Sequence, residues 1–204
     1  MARPKNQKKR RQDLMAAAQR AIATRGLGAL RLKDVAEEAG VTGPAVSYYY
    51  PDLDELLVDV YRRQIQESIE RGPAAISGLD DPWDQMVAAL HVDFPEGPDD
   101  VDAIITYQFS GEPRFAKTYG GMSAALHASQ IGLYRSIVDT GIALGVFSPD
   151  LDSQKVARGI VALGDAYGLQ VVVDEPGMDR ETALREILEI VASLLQVESE
   201  RLPR

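Results

Sequence analysis

The sequence predicts an all-α protein, and three observations carry that expectation. Apolar residues recur at helical spacing in several long segments. Eleven prolines punctuate the chain. Because proline is disfavoured inside a helix, the stretches between them read as single helices or helix pairs. No Asn-Gly or Asp-Gly dipeptide occurs, so the strongest signal of a two-residue β-hairpin is missing. The spacing gives roughly nine helices.

Taken in order, Leu14, Ala17, Ala18, Ala21 and Ile22 fall on one face of a first amphipathic helix. Gly26 and Gly28 stop it. Lys33 to Ala39 forms a short second helix with Val35, Ala36 and Ala39 facing inward. Gly40 supplies a tight turn, and Val41 is buried between that helix and the next. Thr42 or Gly43 caps the third helix, Pro44 fits its first turn, and Ala45 and Val46 pack back. Three successive tyrosines cannot share one helix face. Tyr50 is therefore assigned to the core with Leu56 and Leu57, and Tyr48 and Tyr49 to the surface. After Pro51, the residues Leu53, Leu56, Leu57, Val60, Tyr61 and Ile65 form a further stripe, with Asp52 and Glu55 spaced as a capping box. Tyr61 reads as structural. Residues 95–100 form an exposed turn. Asp152 to Asp174 is apolar over much of its circumference and ends in Val171-Val172-Val173. Leu184, Ile187, Leu188, Val191, Leu194 and Leu195 make the last stripe, and residues 198–204 read as a frayed tail.

Composition excludes several classes. The chain has 204 residues, 45% of them hydrophobic, enough for a packed core. No run approaches the length of a membrane span, and no apolar segment follows the basic N-terminus as in a signal peptide. A cytoplasmic location is the expectation. The absence of cysteine removes disulfides, thiolate nucleophiles and thiolate-rich metal sites. Only two histidines occur, His91 and His127, and no metal pair, nucleophile elbow or phosphate loop is present. The sequence therefore predicts no enzyme, no cofactor and no metal site.

The net charge of −9 hides a split. Residues 1–50 carry ten Lys/Arg against four Asp/Glu, and residues 51–204 carry twelve against twenty-seven. Arg3, Lys5, Lys8, Lys9, Arg10 and Arg11 crowd the first eleven positions. Such a cluster is either a solvated tail or the docking arm of a module for a polyanion. A short helix, a glycine-centred turn and a second short helix follow it. That is the layout of a DNA-reading helix-turn-helix, whose second helix enters a major groove.

The stretch Val35-Ala36-Glu37-Glu38-Ala39-Gly40-Val41-Thr42-Gly43-Pro44-Ala45-Val46-Ser47-Tyr48-Tyr49-Tyr50-Pro51-Asp52-Leu53-Asp54-Glu55-Leu56-Leu57 resembles the DNA-binding domain of TetR-family transcriptional regulators. The likeness runs from about Gln7 to Tyr61. Beyond it only the layout agrees, including Gly145-Val146-Phe147 after a long helix and the segment Ala162 to Leu169 in the penultimate one. The resemblance implies an all-α homodimer with two parts. One is an N-terminal three-helix helix-turn-helix DNA-binding domain, residues 1–50, continued by a linking helix over 52–71. The other is a C-terminal helical ligand-binding and dimerisation domain, residues 72–204. The implied partners are a near-palindromic double-stranded DNA operator and a small-molecule effector.

Carried over by position, Lys33 and Thr42 face phosphates, Gly43, Pro44, Ala45 and Tyr48 approach bases, and Tyr49 reaches a phosphate through its hydroxyl. Lys8, Lys9 and Arg10 of the arm join this set. Two positions depart from the family pattern. Ser47, still counted among the DNA-binding candidates, replaces a usual tyrosine, and Leu53 replaces a usual phosphate-binding lysine. The alternative reading is a helical dimer with a degenerate DNA-binding module that acts through protein contacts or ligand sequestration.

In the body, Trp83, Met86, Leu90, Tyr107, Tyr119, Met122, His127 and Tyr134 are the candidate effector-binding residues. Phe94, Ile105, Phe109, Phe115 and Leu126 belong to the same apolar set, and each member is equally readable as plain core. Arg114 and Arg135 are candidates to meet an anionic ligand. Small residues such as Gly159, Ala162, Gly164, Ala166 and Gly168 allow close helix approach. With the stripe from Leu184 to Leu195 they suggest either a four-helix interface between two copies or packing within one.

Overall fold

The computed structural model describes the backbone of residues 3–111 and 116–197 and the side chains of residues 7–110 and 121–197. Among the described residues there are nine α-helices and no strand: α1 Arg3–Arg25, α2 Leu32–Glu38, α3 Gly43–Ser47, α4 Leu53–Ile76, α5 Pro82–Asp93, α6 Val101–Gly111, α7 Ala116–Ala143, α8 Ser153–Val172 and α9 Arg180–Leu195. The expected side chains of Arg3, Lys5, Arg114, Phe115 and Tyr119, and the tail from residue 198, lie outside the described residues.

The helices group into two compact units. The first comprises the described residues through Ile65 together with those of Val101–Ser123. Its core is the first stripe (Leu14, Ala17, Ala18, Ala21, Ile22) closed by Leu30, Val35, Val46, Tyr50, Leu56, Leu57, Val60 and Tyr61. Full burial of each large apolar side chain among these contributes about 1.5–3 kcal/mol. Helix α1 is stopped after Arg25 by Gly26, whose φ of 74° suits glycine at little cost. The start of α2 is organised by buried Asp34. Its Oδ2 accepts the Arg31 N–H at 2.8 Å, and its Oδ1 accepts from Arg25 at 2.9 Å.

Helix α6 belongs to this first unit although it lies forty residues and more along the chain from α3. It packs on α1, where the Gln108 side-chain oxygen accepts the Leu27 N–H at 2.7 Å. Gln64 of α4 is buried and donates to the Asp102 carbonyl and to the Thr106 hydroxyl, the latter at 2.7 Å. The Phe109 ring stacks on that of Tyr61, centroids 4.6 Å apart.

The second unit comprises Gln66–Asp100 and the described residues from Ala124. Its core runs through Trp83, Met86, Leu90, Phe94, Tyr134, Ile137, Phe147, Ile160, Leu184, Ile187, Leu188, Val191 and Leu195. Each helix start here carries an aspartate cap. Asp81 accepts the Trp83 N–H at 2.8 Å, Asp152 that of Lys155 at 3.1 Å, and Asp179 that of Thr182 at 2.8 Å. Two glycines permit close packing. A Cβ on Gly141 would lie 2.0 Å from the Phe147 ring, and one on Gly72 would lie 2.6 Å from Leu133.

Some boundaries differ from the sequence reading. The basic arm is not a separate tail: α1 is already helical at Arg3. Helix α4 continues through Pro73, which sits so near its end that only Ala74, Ala75 and Ile76 follow. A proline there removes a single intrahelical bond from a terminal turn, where strain is small. Val41 is half-buried rather than buried, Ala39 is half-buried as the cap of α2, and Ala45 is exposed, so Val46 alone packs back. Pro95 is buried, although Glu96, Pro98 and Asp99 of the same turn are exposed.

Candidate nucleic-acid interface

The helix-turn-helix is assembled by backbone geometry more than by side-chain bonds. Gly40 adopts φ 65°, and the Val41 N–H donates to the Ala36 carbonyl at 2.9 Å, which turns the chain out of α2. Thr42 is extended, with φ −83° and ψ 153°, and caps α3 without a side-chain hydrogen bond. Its hydroxyl is therefore left for another partner. Pro44 fills the first turn, where its missing N–H has no intrahelical role. Val46 anchors the short helix in the core.

The outward side of this segment is consistent in character. Thr42, Pro44, Ala45, Ser47 and Tyr48 are exposed, and Gly43 and Tyr49 are half-buried. Tyr48 is 70% exposed, the highest value among the large apolar side chains of the described residues. Its ring meets that of half-buried Tyr49 edge to face at 5.0 Å, which holds the two phenols in a fixed relation. Lys33 is exposed at the start of α2, and Lys8, Lys9 and Arg10 are exposed on α1. Small side chains at positions 43 to 45 let the helix approach a groove closely, and hydroxyls and cations flank them. Such a surface suits base edges and phosphates.

Tyr49, assigned to the surface from the sequence, is half-buried. Tyr50 is fully buried, as expected. Its hydroxyl donates to Asp59 Oδ2 at 3.2 Å, and the Arg11 guanidinium lies 4.3 Å from its ring centroid. Burial, the larger effect, and the neighbouring Asp59 push the phenol up to about 12, against the pull of Arg11. Arg11 donates to the same Asp59 oxygen at 2.9 Å, and Arg62 donates to the other at 2.9 Å. The sequence reading missed Asp59. The available signal was a carboxylate flanking the apolar stripe of α4, opposite in sign to the arm.

The start of α4 has another character. Asp52 caps it by accepting the Glu55 N–H at 2.8 Å, and Asp54 and Glu55 occupy the first turn. Acidic residues suit the positive end of a helix dipole. They also oppose a phosphate there, where Leu53 supplies no cation.

The effector candidates are divided between the units. Trp83, Met86, Leu90 and Tyr134 are buried in the second core. His127 is exposed and stands 3.4 Å from Asp165. Tyr107 and Met122, both half-buried, belong to the first unit. Within the second core the Tyr134 hydroxyl donates to Asp93 at 3.3 Å. Burial raises the Asp93 carboxyl above its ordinary value, while bonds from Tyr134 and Gln130 and the charge of Arg71 pull it down. Arg135 pairs with Asp139 at 3.4 Å on the surface. Among the described residues no cluster of His, Asp and Glu is placed to hold a metal, and no helix is long and apolar enough to cross a membrane.

A basic, outward-facing helix-turn-helix joined to a helical body defines a DNA-binding transcriptional regulator. Residues 14–60 match the family model described as bacterial regulatory proteins, tetR family. The helix-turn-helix module is thus similar to that of TetR-family transcriptional regulators. It is 22% identical to the transcriptional repressor KstR2 of Mycolicibacterium smegmatis over 77% of either chain. The fold is also that of a transcriptional regulator from Saccharomonospora viridis solved with choline, with a TM-score of 0.75 at 21% identity, covering 90% of this chain and 96% of that one. The regulator FadR of Bacillus subtilis, solved with stearoyl-CoA, gives a TM-score of 0.73 at 17% identity, with 90% and 98% covered.

Proposed function

We propose that this protein is a ligand-responsive repressor that binds a near-palindromic operator as a homodimer and is released from it by a small molecule. The observation that carries the DNA-binding part is the surface from Thr42 to Tyr49, where a large aromatic is left in solvent beside small residues and hydroxyls. Lys33, Thr42 and Tyr49 take phosphates in this reading, Gly43, Pro44, Ala45, Ser47 and Tyr48 lie along the groove, and Lys8, Lys9 and Arg10 add phosphate contacts.

A homodimer is supported by the exposed apolar pairs Leu169 and Val173 at the end of α8 and Ile190 and Leu194 on α9. Each pair is spaced by one helical turn, and the two helices are packed together. A second copy of the chain would cover both pairs. Two modules about 34–36 Å apart would then meet successive major grooves.

A small-molecule effector is supported by two structural neighbours that carry different ligands. One neighbour was solved with choline and another with stearoyl-CoA. Effector coupling in such systems is typically ~1–3 kcal/mol, and a ligand favouring one spacing of the two modules would supply it.

Selection of bound duplexes from a random-sequence pool tests the core of this proposal. Enrichment of a near-palindrome that binds two chains supports it. Equal binding to all duplexes would leave the degenerate-module reading, which Ser47, Leu53 and the acidic start of α4 favour. A metabolite screen for release of the selected duplex then tests ligand response.

A further inference from the structure

We propose that Asp59 is a positioning residue for DNA binding: one carboxylate holds both Arg11 and Tyr50, and so fixes the basic start of α1 against the end of the recognition segment. The inference rests on the DNA-binding reading and concerns how that surface is held.

The geometry is specific. Oδ2 of Asp59 accepts from Arg11 at 2.9 Å and from the Tyr50 hydroxyl at 3.2 Å, and Oδ1 accepts from Arg62 at 2.9 Å. Arg11 is also 3.5 Å from Glu55 and covers the Tyr50 ring at 4.3 Å. Three elements therefore converge on one side chain: α1, the turn that follows α3, and α4.

Arg11 differs from its neighbours in the arm. Lys8, Lys9 and Arg10 are exposed, and no ion pair among the described residues holds them. Arg11 is half-buried and engaged on its carboxylate and ring, so it is not presented to a phosphate.

The first turns of α1 need such a tether. Among the described residues the first buried side chain is Leu14, so the exposed stretch from Gln7 to Arg10 has no core to pack on. No acidic residue occupies the first turn. Cations at the positive end of the helix dipole, spaced three and four residues apart, disfavour the helix they stand on. Arg11 attaches this stretch at its root, and it does so beside the residue that follows Tyr48 and Tyr49.

The sign of the effect makes the proposal testable. Asp59 is an anion in a module that binds a polyanion. Simple electrostatics predicts that Asp59→Asn tightens DNA binding, by removing repulsion and freeing Arg11. A positioning role predicts the reverse.

The experiment measures affinity for the best duplex selected from a random pool, across a salt series, for the wild-type chain, Asp59→Asn, Arg11→Ala, the double variant and Lys8→Ala. Thermal melting establishes that each is folded. Should Asp59→Asn be unfolded, Arg11→Gln with Tyr50→Phe probes the same two contacts. The expected result is a loss of roughly tenfold for either Asp59→Asn or Arg11→Ala, with little further loss in the double variant. Both retain the wild-type salt slope, whereas Lys8→Ala lowers it by about one. Tighter binding by Asp59→Asn, or a salt slope reduced by Arg11→Ala, overturns the proposal and makes Arg11 a phosphate contact. A wild-type chain with no preferred duplex would instead overturn the DNA-binding reading and this inference with it.

Discussion

Single atoms decide several properties of this chain. Gly141 faces the Phe147 ring so closely that an added methyl has no room. Gly141→Ala is expected to destabilise by about 1–3 kcal/mol, through overpacking of a ring that cannot retreat from the core. Gly132, also on α7, meets nothing within 4 Å. Gly132→Ala is expected to stabilise by about 0.4–1 kcal/mol, because alanine restricts the unfolded chain and favours the helix. Denaturant melts of the two variants should therefore move in opposite directions. Asp93 gives a pH signature. Burial raises its carboxyl above the ordinary 3.8, so just above that pH the folded chain keeps a proton that the unfolded chain has released. Its contribution is full below pH 3.8 and is lost as pH rises through the folded value. Asp93→Asn, which keeps an acceptor for Tyr134, is expected to flatten that part of the stability curve. An unchanged difference between the two proteins across this window would refute the assignment.

At the scale of elements, the turn between α2 and α3 depends on the left-handed backbone of Gly40. Gly40→Ala is expected to cost about 1–2 kcal/mol, and to weaken DNA binding beyond its effect on melting because it re-aims α3. A gel-shift titration at a temperature well below the melting transition separates the two effects. The recognition helix, its turn and its cap were legible in the sequence because each rests on local chemistry: Gly40 for a positive φ, Pro44 for a first turn, alternation of Val46 and Tyr50 with exposed neighbours. The stripes of α1, α4 and α9 were legible for the same reason, since periodicity fixes a buried face. Contacts between distant segments were not. Nothing local announces that Gln108 accepts a bond from Leu27, or that Arg11 leaves the arm to join Asp59. The grouping of the effector candidates was not legible either. Trp83 and Tyr107 look alike in sequence, yet they belong to different compact units, and membership is set by tertiary packing.

For the whole molecule, the charge split and the apolar stripe of α8 and α9 make separate predictions. Leu194→Glu would place a charge at the centre of the proposed contact between two copies, 44% exposed in the single chain. Sedimentation is expected to show a monomer, and half-sites should then bind far more weakly than the full palindrome binds the wild type. A variant that remains dimeric would remove these helices from the interface. Charge acts at longer range. The acidic residues of 51–204 would repel DNA where the basic residues of 1–50 attract it, so on the proposed reading the asymmetry would serve docking direction as well as affinity.

The acid-capped start of α4 has a consequence for how the protein searches a genome. On the DNA-binding reading proposed above, Asp52, Asp54 and Glu55 stand where the family resemblance implies a phosphate-gripping cation. Fewer indiscriminate anchors mean a shorter stay on random DNA, while groove contacts at the cognate sequence are untouched. A regulator built this way would give up some absolute affinity and gain a larger ratio between right and wrong addresses, moving between them by frequent detachment rather than long one-dimensional travel.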